Sequence, residues 1–137
     1  MDTLTRKQRS ERMALVRGKN TKLELIVRRL VHSMGFRYRL HSPSLPGHPD
    51  LVFARRRKVI FVHGCFWHRH RATCPLARLP KSKLDFWLPK LEGNRMRDEK
   101  TLRLIRALGW KALVVWECQL KNVPALRNRI RLFLEGL

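Results

Sequence analysis

The chain has 137 residues, 44% of them hydrophobic, a length and composition that suit one globular domain and exclude an intrinsically disordered chain. Lysine and arginine together number 31 against 10 aspartate and glutamate residues, which gives a formal net charge of +21. Because self-repulsion at this charge opposes compaction, a polyanionic partner, above all a nucleic acid, is the natural explanation, with a basic protein of the ribosomal type as the alternative.

The chain opens with a basic segment and an amphipathic helix. Residues 1–19 are polar and basic and are expected to form an N-terminal arm that orders on its partner, whereas residues 20–137 are expected to form a single domain. Apolar residues recur at helical spacing from Leu23 to Met34, and Gly35 stands where a helix terminates.

Three short strands are predicted next. Residues 36–40 alternate apolar and basic side chains, which is typical of a half-buried strand. Residues 50–54 and 58–62 are two Val/Ile/Phe-rich runs joined by a turn of three arginines, and this pattern predicts a β-hairpin.

The second half of the chain predicts two helices around one strand. A short helix at residues 84–88 is expected to be interrupted or restarted by Pro89, before a longer helix at residues 90–108. Residues 110–116 form an apolar run typical of a central strand buried on both faces, and a last helix begins at Asn122 as N-cap. A right-handed crossover then places the last strand parallel to its neighbour. The prediction is an α/β fold, a mixed β-sheet flanked by helices in the order α-β-β-β-α-β-α.

Four potential metal ligands cluster in the second half of the sequence. Cys65, His70 and Cys74 lie on a predicted loop, and Cys118 follows the last predicted strand. Thiolate and imidazole are the ligands that tetrahedral Zn²⁺ prefers, so these four residues predict a structural zinc site. The alternative is that the cysteines are small buried hydrophobic residues, since an odd count without a secretion signal does not favour disulfides.

An acidic residue opens the predicted hairpin. Asp50 begins one strand and faces the end of the next, where Val62 and His63 lie. A carboxylate together with a backbone carbonyl can hold Mg²⁺ when phosphate supplies further oxygens. The alternative for Asp50 is a turn or capping residue after proline.

His63 and His68 are candidates for the proton transfers that phosphodiester hydrolysis requires. The alternatives for each are a spare zinc ligand or a phosphate contact. Glu24 has two interpretations, and its spacing from Thr21 favours a capping box over a position at the magnesium site.

Aromatic pairs and basic clusters predict contacts with nucleic acid. Phe66 and Trp67 are adjacent on the zinc loop, where we expect them to insert between bases, whereas Phe86 is expected in the core. Phosphate contacts are expected from the basic residues within three segments: 55–58, 69–71 and 78–83.

Four stretches carry a family resemblance: GHPDLVF from Gly47, FVHGCFWHRH from Phe61, the Phe86-Trp87…Lys90…Asn94…Arg97-Asp98 run, and GWKALVVWEC from Gly109. Together they resemble the very-short-patch (Vsr) DNA mismatch repair endonucleases of the PD-(D/E)xK superfamily. The resemblance implies a restriction-endonuclease-like fold and a single-strand nick 5′ of the thymine in a T:G mismatch, the product of 5-methylcytosine deamination.

The resemblance also implies roles for individual residues. It assigns Mg²⁺ to Asp50 and the Val62 backbone carbonyl, and it moves Glu24 into the active site. Well-known members have threonine where this chain has Val62, and the zinc loop is long enough that His68 and His70 could exchange roles. The implied catalytic residues are Asp50, His63, His68 and Glu24; the implied zinc ligands are Cys65, His70, Cys74 and Cys118; the implied DNA contacts are Met13, Phe66, Trp67, Trp87, Lys90 and Asn94.

The leading hypothesis is a Mg²⁺-dependent DNA mismatch nickase with structural Zn²⁺. The alternatives are a restriction or defence nuclease of the same fold and a non-catalytic module that binds distorted DNA. The expected partner is double-stranded DNA with a T:G mismatch, bound by a monomer with possible help from mismatch-repair accessory proteins. No apolar run is long enough to span a membrane and no export signal is recognised, so an intracellular setting is expected. The resemblance implies a bacterial, cytoplasmic and nucleoid-associated protein.

Overall fold

The computed structural model describes residues 22–66, 68, 74–77 and 82–136. The predicted arm at residues 1–19, including Met13, lies outside the described residues, and so do Trp67 and His70. Predictions that concern those residues stay predictions.

Four strands form one mixed sheet in the order β1-β2-β3-β4. They are β1 (Arg39–Leu40), β2 (Leu51–Phe53), β3 (Lys58–His63) and β4 (Lys111–Trp116). β1 pairs antiparallel with β2 and β2 antiparallel with β3, whereas β3 and β4 are parallel. The predicted hairpin and the parallel last strand are therefore confirmed. Arg57 closes the hairpin turn in the left-handed conformation, with φ of 52°.

Among the described residues, three α-helices accompany the sheet: α1 (Lys22–Ser33), α2 (Leu84–Ala107) and α3 (Val123–Glu135). The side chain of Asn122 accepts a hydrogen bond from the Ala125 N–H at 3.2 Å, so the predicted N-cap of the last helix is confirmed. Within the described part of the chain, no helix combines the length and apolarity needed to cross a membrane.

The two faces of the sheet carry separate hydrophobic clusters. Helices α1 and α3 pack on one face, where the buried residues are Val27, Val31, Leu51, Phe53, Ile60, Leu113, Val115, Leu126, Ile130 and Leu134. Helix α2 packs on the other, where they are Val52, Val59, Phe61 and Ile105. Neighbouring strand residues divide between the clusters because successive side chains point to opposite faces. The predicted α/β architecture of a mixed sheet flanked by helices is confirmed.

Two strand predictions need correction. The strand expected at residues 36–40 pairs only at Arg39–Leu40. The apolar run of β4, expected at the centre, is the last strand of the described sheet, and β3 is the well-buried interior strand instead. An apolar run indicates that both faces of a strand are covered, but it does not indicate whether the strand has a neighbour on each side. Helices cover both faces of this sheet, so a strand at its edge can be as apolar as a central one.

The predicted break at Pro89 is wrong, because α2 runs continuously through it. A proline inside a helix removes one backbone hydrogen bond and crowds the preceding turn. Leu91, two residues later, is fully buried, and its packing favours a helix that continues past this defect.

Lys58 has a structural role that its place in a basic cluster did not indicate. Its Nζ is buried and donates to the carbonyl oxygens of Phe133 at 2.6 Å, Leu134 at 3.3 Å and Gly136. Arg56 Nη1 also donates to the Leu134 carbonyl, at 2.8 Å. Carbonyls at a helix C-terminus lack intrahelical partners and carry partial negative charge, so these cations cap α3. The phosphate contact expected at Lys58 is therefore wrong.

Candidate active site

One end of the sheet gathers the described catalytic and metal-binding candidates. Asp50 immediately precedes β2, His63 ends β3, and Cys118 follows the end of β4. These positions meet because β2 is antiparallel and β4 parallel to β3. The arginine turn between β2 and β3 lies at the opposite end of the sheet.

The loop before Asp50 is packed tightly against α2. Gly47 has φ of +74°, a left-handed value that strains any residue with a side chain. A Cβ at this position would lie 2.4 Å from Thr101 Cγ2. Glycine therefore allows the close approach that holds the start of β2 against the helix.

The first cluster consists of Glu24, His41 and Asp50. His41 Nε2 donates to Glu24 Oε1 at 2.7 Å and lies 3.9 Å from Asp50 Oδ1. Asp50 Oδ2 accepts the backbone N–H of Val62 at 2.6 Å, which ties this carboxylate to the end of β3. Arg28 donates to the other oxygen of Glu24. Two carboxylates and an imidazole thus converge at the sheet end, with ligand atoms close enough to hold one metal ion.

The two carboxyl groups have divergent pKa values. Burial raises the pKa of Asp50 to about 8, and the hydrogen bond and the charge of Glu24 add to the rise, against the opposing Val62 N–H. Burial alone would raise the pKa of Glu24 too, but hydrogen bonds with Asp50 and His41, and the charge of Arg28, lower it overall. The two carboxyl groups therefore titrate together, and Asp50 holds a proton more firmly than Glu24 does, as expected for two carboxyl groups in one site.

The second cluster consists of His63, His68 and Asp98. The two imidazole rings stack with centroids 3.9 Å apart and planes inclined by 6°. His68 Nδ1 donates to Asp98 Oδ2 at 2.6 Å, so the carboxylate fixes the ring and leaves Nε2 as the acceptor nitrogen. The predicted pair of histidines is brought together, and α2 supplies the acid that orients one of them.

His63 is held neutral in its buried position. Its pKa is lowered to about 3, chiefly by burial and in part by the neighbouring His68, while Asp98 opposes the shift. Its Nδ1 is buried and has no hydrogen-bond partner among the described residues. The neutral ring can therefore take part in a hydrogen bond, but its lowered pKa makes it a poor proton acceptor.

The third cluster brings together the cysteines at positions 65, 74 and 118. None of the three forms a disulfide within the described part of the chain, and their sulfur atoms lie within 4.8 Å of one another. Cys65 and Cys74 are buried, and the Cys118 N–H donates to Cys65 Sγ at 3.4 Å. Burial raises the pKa of the Cys65 thiol to about 12. Convergent soft donors from two separate loops match the ligand chemistry of Zn²⁺.

Aromatic side chains from the loop after β3 and from the start of α2 form a row. The rings of Phe66 and Trp87 meet edge to face with centroids 5.5 Å apart, and those of Trp87 and Phe86 at 5.1 Å. Phe86 is 58% exposed, so its expected place in the core is wrong; it lies in the first turn of α2, where Leu84 is exposed as well. Lys90 Nζ lies 5.4 Å from the Phe86 ring centroid, and Asn94 follows one turn later.

His41 and Asp98 are site residues that sequence reasoning missed. The sequence offered a signal for His41, because this residue directly follows the strand predicted at residues 36–40. In the structure its N–H donates to the Asp50 carbonyl at 3.4 Å, where β1 pairs with β2. Asp98 lies thirty residues from His68, and no spacing rule joins a helix acid to a loop histidine over that separation.

Comparison with known proteins places this geometry in a family. The family model described as DNA mismatch endonuclease Vsr matches residues 1–74. The chain belongs to the Vsr family. It is 50% identical over 134 residues to the type II nicking enzyme V.XorIIP of Xanthomonas oryzae pv. oryzae, a match that covers 98% of this chain and 97% of that protein. It is 40% identical over 129 residues to the DNA mismatch endonuclease Vsr of Escherichia coli, covering 94% of this chain and 78% of that protein.

Vsr-family membership confirms the resemblance carried by the sequence motifs. The chain is a DNA endonuclease, a hydrolase that acts on the phosphodiester backbone. The relatives include type II nicking enzymes as well as a mismatch endonuclease, so the common activity is endonucleolytic cleavage of DNA.

Proposed function

We propose that this Vsr-family endonuclease nicks one strand of duplex DNA 5′ of the thymine in a T:G mismatch, in a Mg²⁺-dependent reaction. The observation that carries the proposal is the pair of polar clusters at one end of the sheet, coupled by the hydrogen bond from the Val62 N–H to Asp50. One cluster has the oxygen donors for a hard cation, and the other has the histidines for proton transfer.

The first cluster fits a magnesium ion by its donor chemistry. Asp50 and Glu24 offer carboxylate oxygens, and the backbone carbonyl of Val62, whose N–H donates to Asp50, is proposed as a further oxygen donor. When bound there with phosphate, Mg²⁺ would stabilise negative charge that develops on the phosphate oxygens. A cation held there would favour the ionised form of both carboxyl groups, because its positive charge would offset their mutual repulsion.

His68 and Asp98 form the proton-accepting pair in this proposal. Asp98 holds the Nδ1 proton, so His68 presents Nε2 to a water molecule and the carboxylate stabilises the imidazolium that forms. His63, neutral and stacked on His68, keeps that ring in place and donates its N–H to a phosphate oxygen.

The cysteine cluster fits a structural zinc ion. Cys65, Cys74 and Cys118 would supply three ligands, with His70 proposed as the fourth. Such a site would anchor the loop that carries His68 and Phe66 to the end of β4. The role is structural because four protein ligands leave no open position for substrate.

The aromatic row and the basic charge support a proposal for DNA contact. Phe66 and Trp87, together with Trp67, would stack beside the mismatched pair, and Met13 would insert from the opposite groove. Lys90 and Asn94 lie along the same helix for contacts near the mismatch. The arginines of the hairpin turn lie at the end of the sheet opposite to the candidate active site. Phosphate groups near the cleaved bond would therefore contact other basic residues.

A nicking assay on matched duplexes tests the proposal. We expect wild-type protein and Mg²⁺ to nick the thymine strand of a T:G duplex and to spare the same duplex with a C:G pair. Asp50→Asn should abolish nicking, because it removes the charge that faces the cation, while DNA binding persists. Glu135→Gln, an exposed change at the end of α3, is the matched control and should nick normally. Equal cutting of both duplexes would refute mismatch specificity, and retained nicking by Asp50→Asn would refute the catalytic site.

A further inference from the structure

His41 stands between the two carboxylates of the proposed cation site. One atom, Nε2, lies 2.7 Å from Glu24 Oε1 and 3.9 Å from Asp50 Oδ1. The imidazole is largely buried, and it faces the same space as the carboxylates rather than solvent. One nitrogen of His41 thus lies near both carboxylates, which is the arrangement expected of three ligands around one cation.

We propose that His41 is a third protein ligand of the catalytic cation, which gives the site one nitrogen and two carboxylate donors and adapts it to first-row transition ions such as Mn²⁺ as well as Mg²⁺. This inference rests on the proposed cation site. It adds a donor that the sequence analysis did not place in the site.

The geometry supports a ligand role because three separate elements converge. Glu24 comes from α1, Asp50 from the start of β2, and His41 from the residue that follows β1. His41 adopts a left-handed backbone conformation, with φ of 49°, while its N–H donates to the Asp50 carbonyl. The backbone therefore fixes His41 and Asp50 to each other before any cation binds.

The charges of the site favour a neutral third donor. Arg28 pairs with Glu24, so its positive charge offsets one of the two carboxylates. The site then has less negative charge with which to attract a dication than two free carboxylates would have. A neutral imidazole adds a lone pair without adding repulsion between acids. Its single proton can reside on either nitrogen, so the Nε2 that donates to Glu24 without metal can coordinate a cation once the proton resides on Nδ1.

The nitrogen donor also predicts which cations the site accepts. Mg²⁺ prefers oxygen ligands and keeps several waters, whereas affinity for mixed nitrogen and oxygen donors rises from Mn²⁺ onward along the first transition row. Removal of the imidazole should therefore weaken Mn²⁺ binding more than Mg²⁺ binding.

The test uses Mn²⁺ alone as the probe, since thiolates bind it poorly and the cysteine cluster will not compete. Pulsed electron paramagnetic resonance detects a nitrogen directly bound to Mn²⁺, and protein labelled with ¹⁵N only at histidine identifies that nitrogen as imidazole. The variants are His41→Gln, whose amide can still donate to Glu24, and His48→Gln, an exposed histidine of the same loop, as the matched control. His68→Gln excludes the second cluster as the source of the signal.

We expect an imidazole coupling in wild type, His48→Gln and His68→Gln, and its loss in His41→Gln, with Mn²⁺ binding weakened about 10-fold. Unchanged thermal unfolding of His41→Gln would show that the loss is local, and the isotope experiment on wild type does not depend on that variant folding. Mn²⁺ binding without an imidazole coupling, or a coupling that survives His41→Gln, would overturn the role of His41 and leave the carboxylate site standing. Failure of Asp50→Asn to alter Mn²⁺ binding would overturn the cation site itself.

Discussion

At the scale of single residues, the site depends on a carboxylate that orients its histidine neighbours. Asp98 holds His68 by one hydrogen bond at 2.6 Å, and His68 in turn stacks on His63. The orientation of both rings is therefore linked to one carboxylate on α2. Such a carboxylate acts through the histidine and is a positioning residue.

Asp98→Asn should slow nicking strongly because the amide cannot stabilise an imidazolium. We expect the loss to approach that of His68→Gln, for which removal of a general base predicts roughly 10²- to 10⁴-fold. Single-turnover nicking rates measure the effect, and DNA affinity measured in parallel should change little.

Glu99→Gln is the matched control for Asp98, because Glu99 is an exposed acid on the same helix that pairs only with surface Arg95 among the contacts described for it. The double variant Asp98→Asn/His68→Gln should be no slower than His68→Gln, since both changes act on one proton transfer. Fully additive losses would contradict the assignment of Asp98 as a positioning residue.

At the scale of elements, the interior strand and the last helix stabilise each other at their ends. Lys58 begins β3, and its ammonium reaches the terminal carbonyls of α3. The register of β3 sets the place of Asp50 through the Val62 N–H at the strand's other end. The strand β3 therefore connects the cap of α3 at one of its ends to the position of Asp50 at the other.

Lys58→Met should lower the free energy of unfolding by about 1.5–3 kcal/mol, the range for a hydrogen bond to a charged group, because the carbonyls lose a buried cationic donor. Urea denaturation measures the change. Arg55→Met, an exposed change in the same hairpin turn, should have little effect. Equal stability of Lys58→Met and wild type would show that Lys58 does not cap α3.

At the scale of the whole molecule, the sheet serves as a frame whose one end holds three polar clusters. The acidic cluster, the histidine cluster and the cysteine cluster follow from strands that start or finish at the same end. Helices cover both faces of the sheet, so the candidate catalytic and metal-binding side chains lie at its end. The zinc site proposed there would connect the loop after β3 to the end of β4.

Cys118→Ala should abolish stoichiometric zinc binding, lower the temperature of thermal unfolding and weaken DNA binding, because the loop that carries Phe66 loses its anchor. Elemental analysis by mass spectrometry, together with thermal unfolding, measures the first two. Asp50→Asn is the matched control and should retain zinc, since it alters only the proposed magnesium site. Wild-type protein that lacks zinc, or a Cys118→Ala variant with unchanged stability, would contradict the zinc site.

Much of the fold was predictable from local patterns in the chain. Apolar spacing located the first helix, the Val/Ile/Phe-rich runs located the hairpin, and Asn122 marked the start of α3. Patterns of this kind arise because each element must bury one face, and burial leaves a period in the sequence. The order of the strands then placed Asp50, His63 and Cys118 at one end of the sheet.

Only the tertiary structure showed which distant residues complete the clusters. His41 reaches Glu24 across 17 positions, and Asp98 reaches His68 across 30. Lys58 lay in a basic cluster that predicted phosphate contact, yet packing directs it to the end of α3. These contacts depend on strand register and helix packing, which join residues that no local period relates. The residue types of the sequence therefore predicted the kind of chemistry at the site, whereas the fold determined which side chains contact one another there.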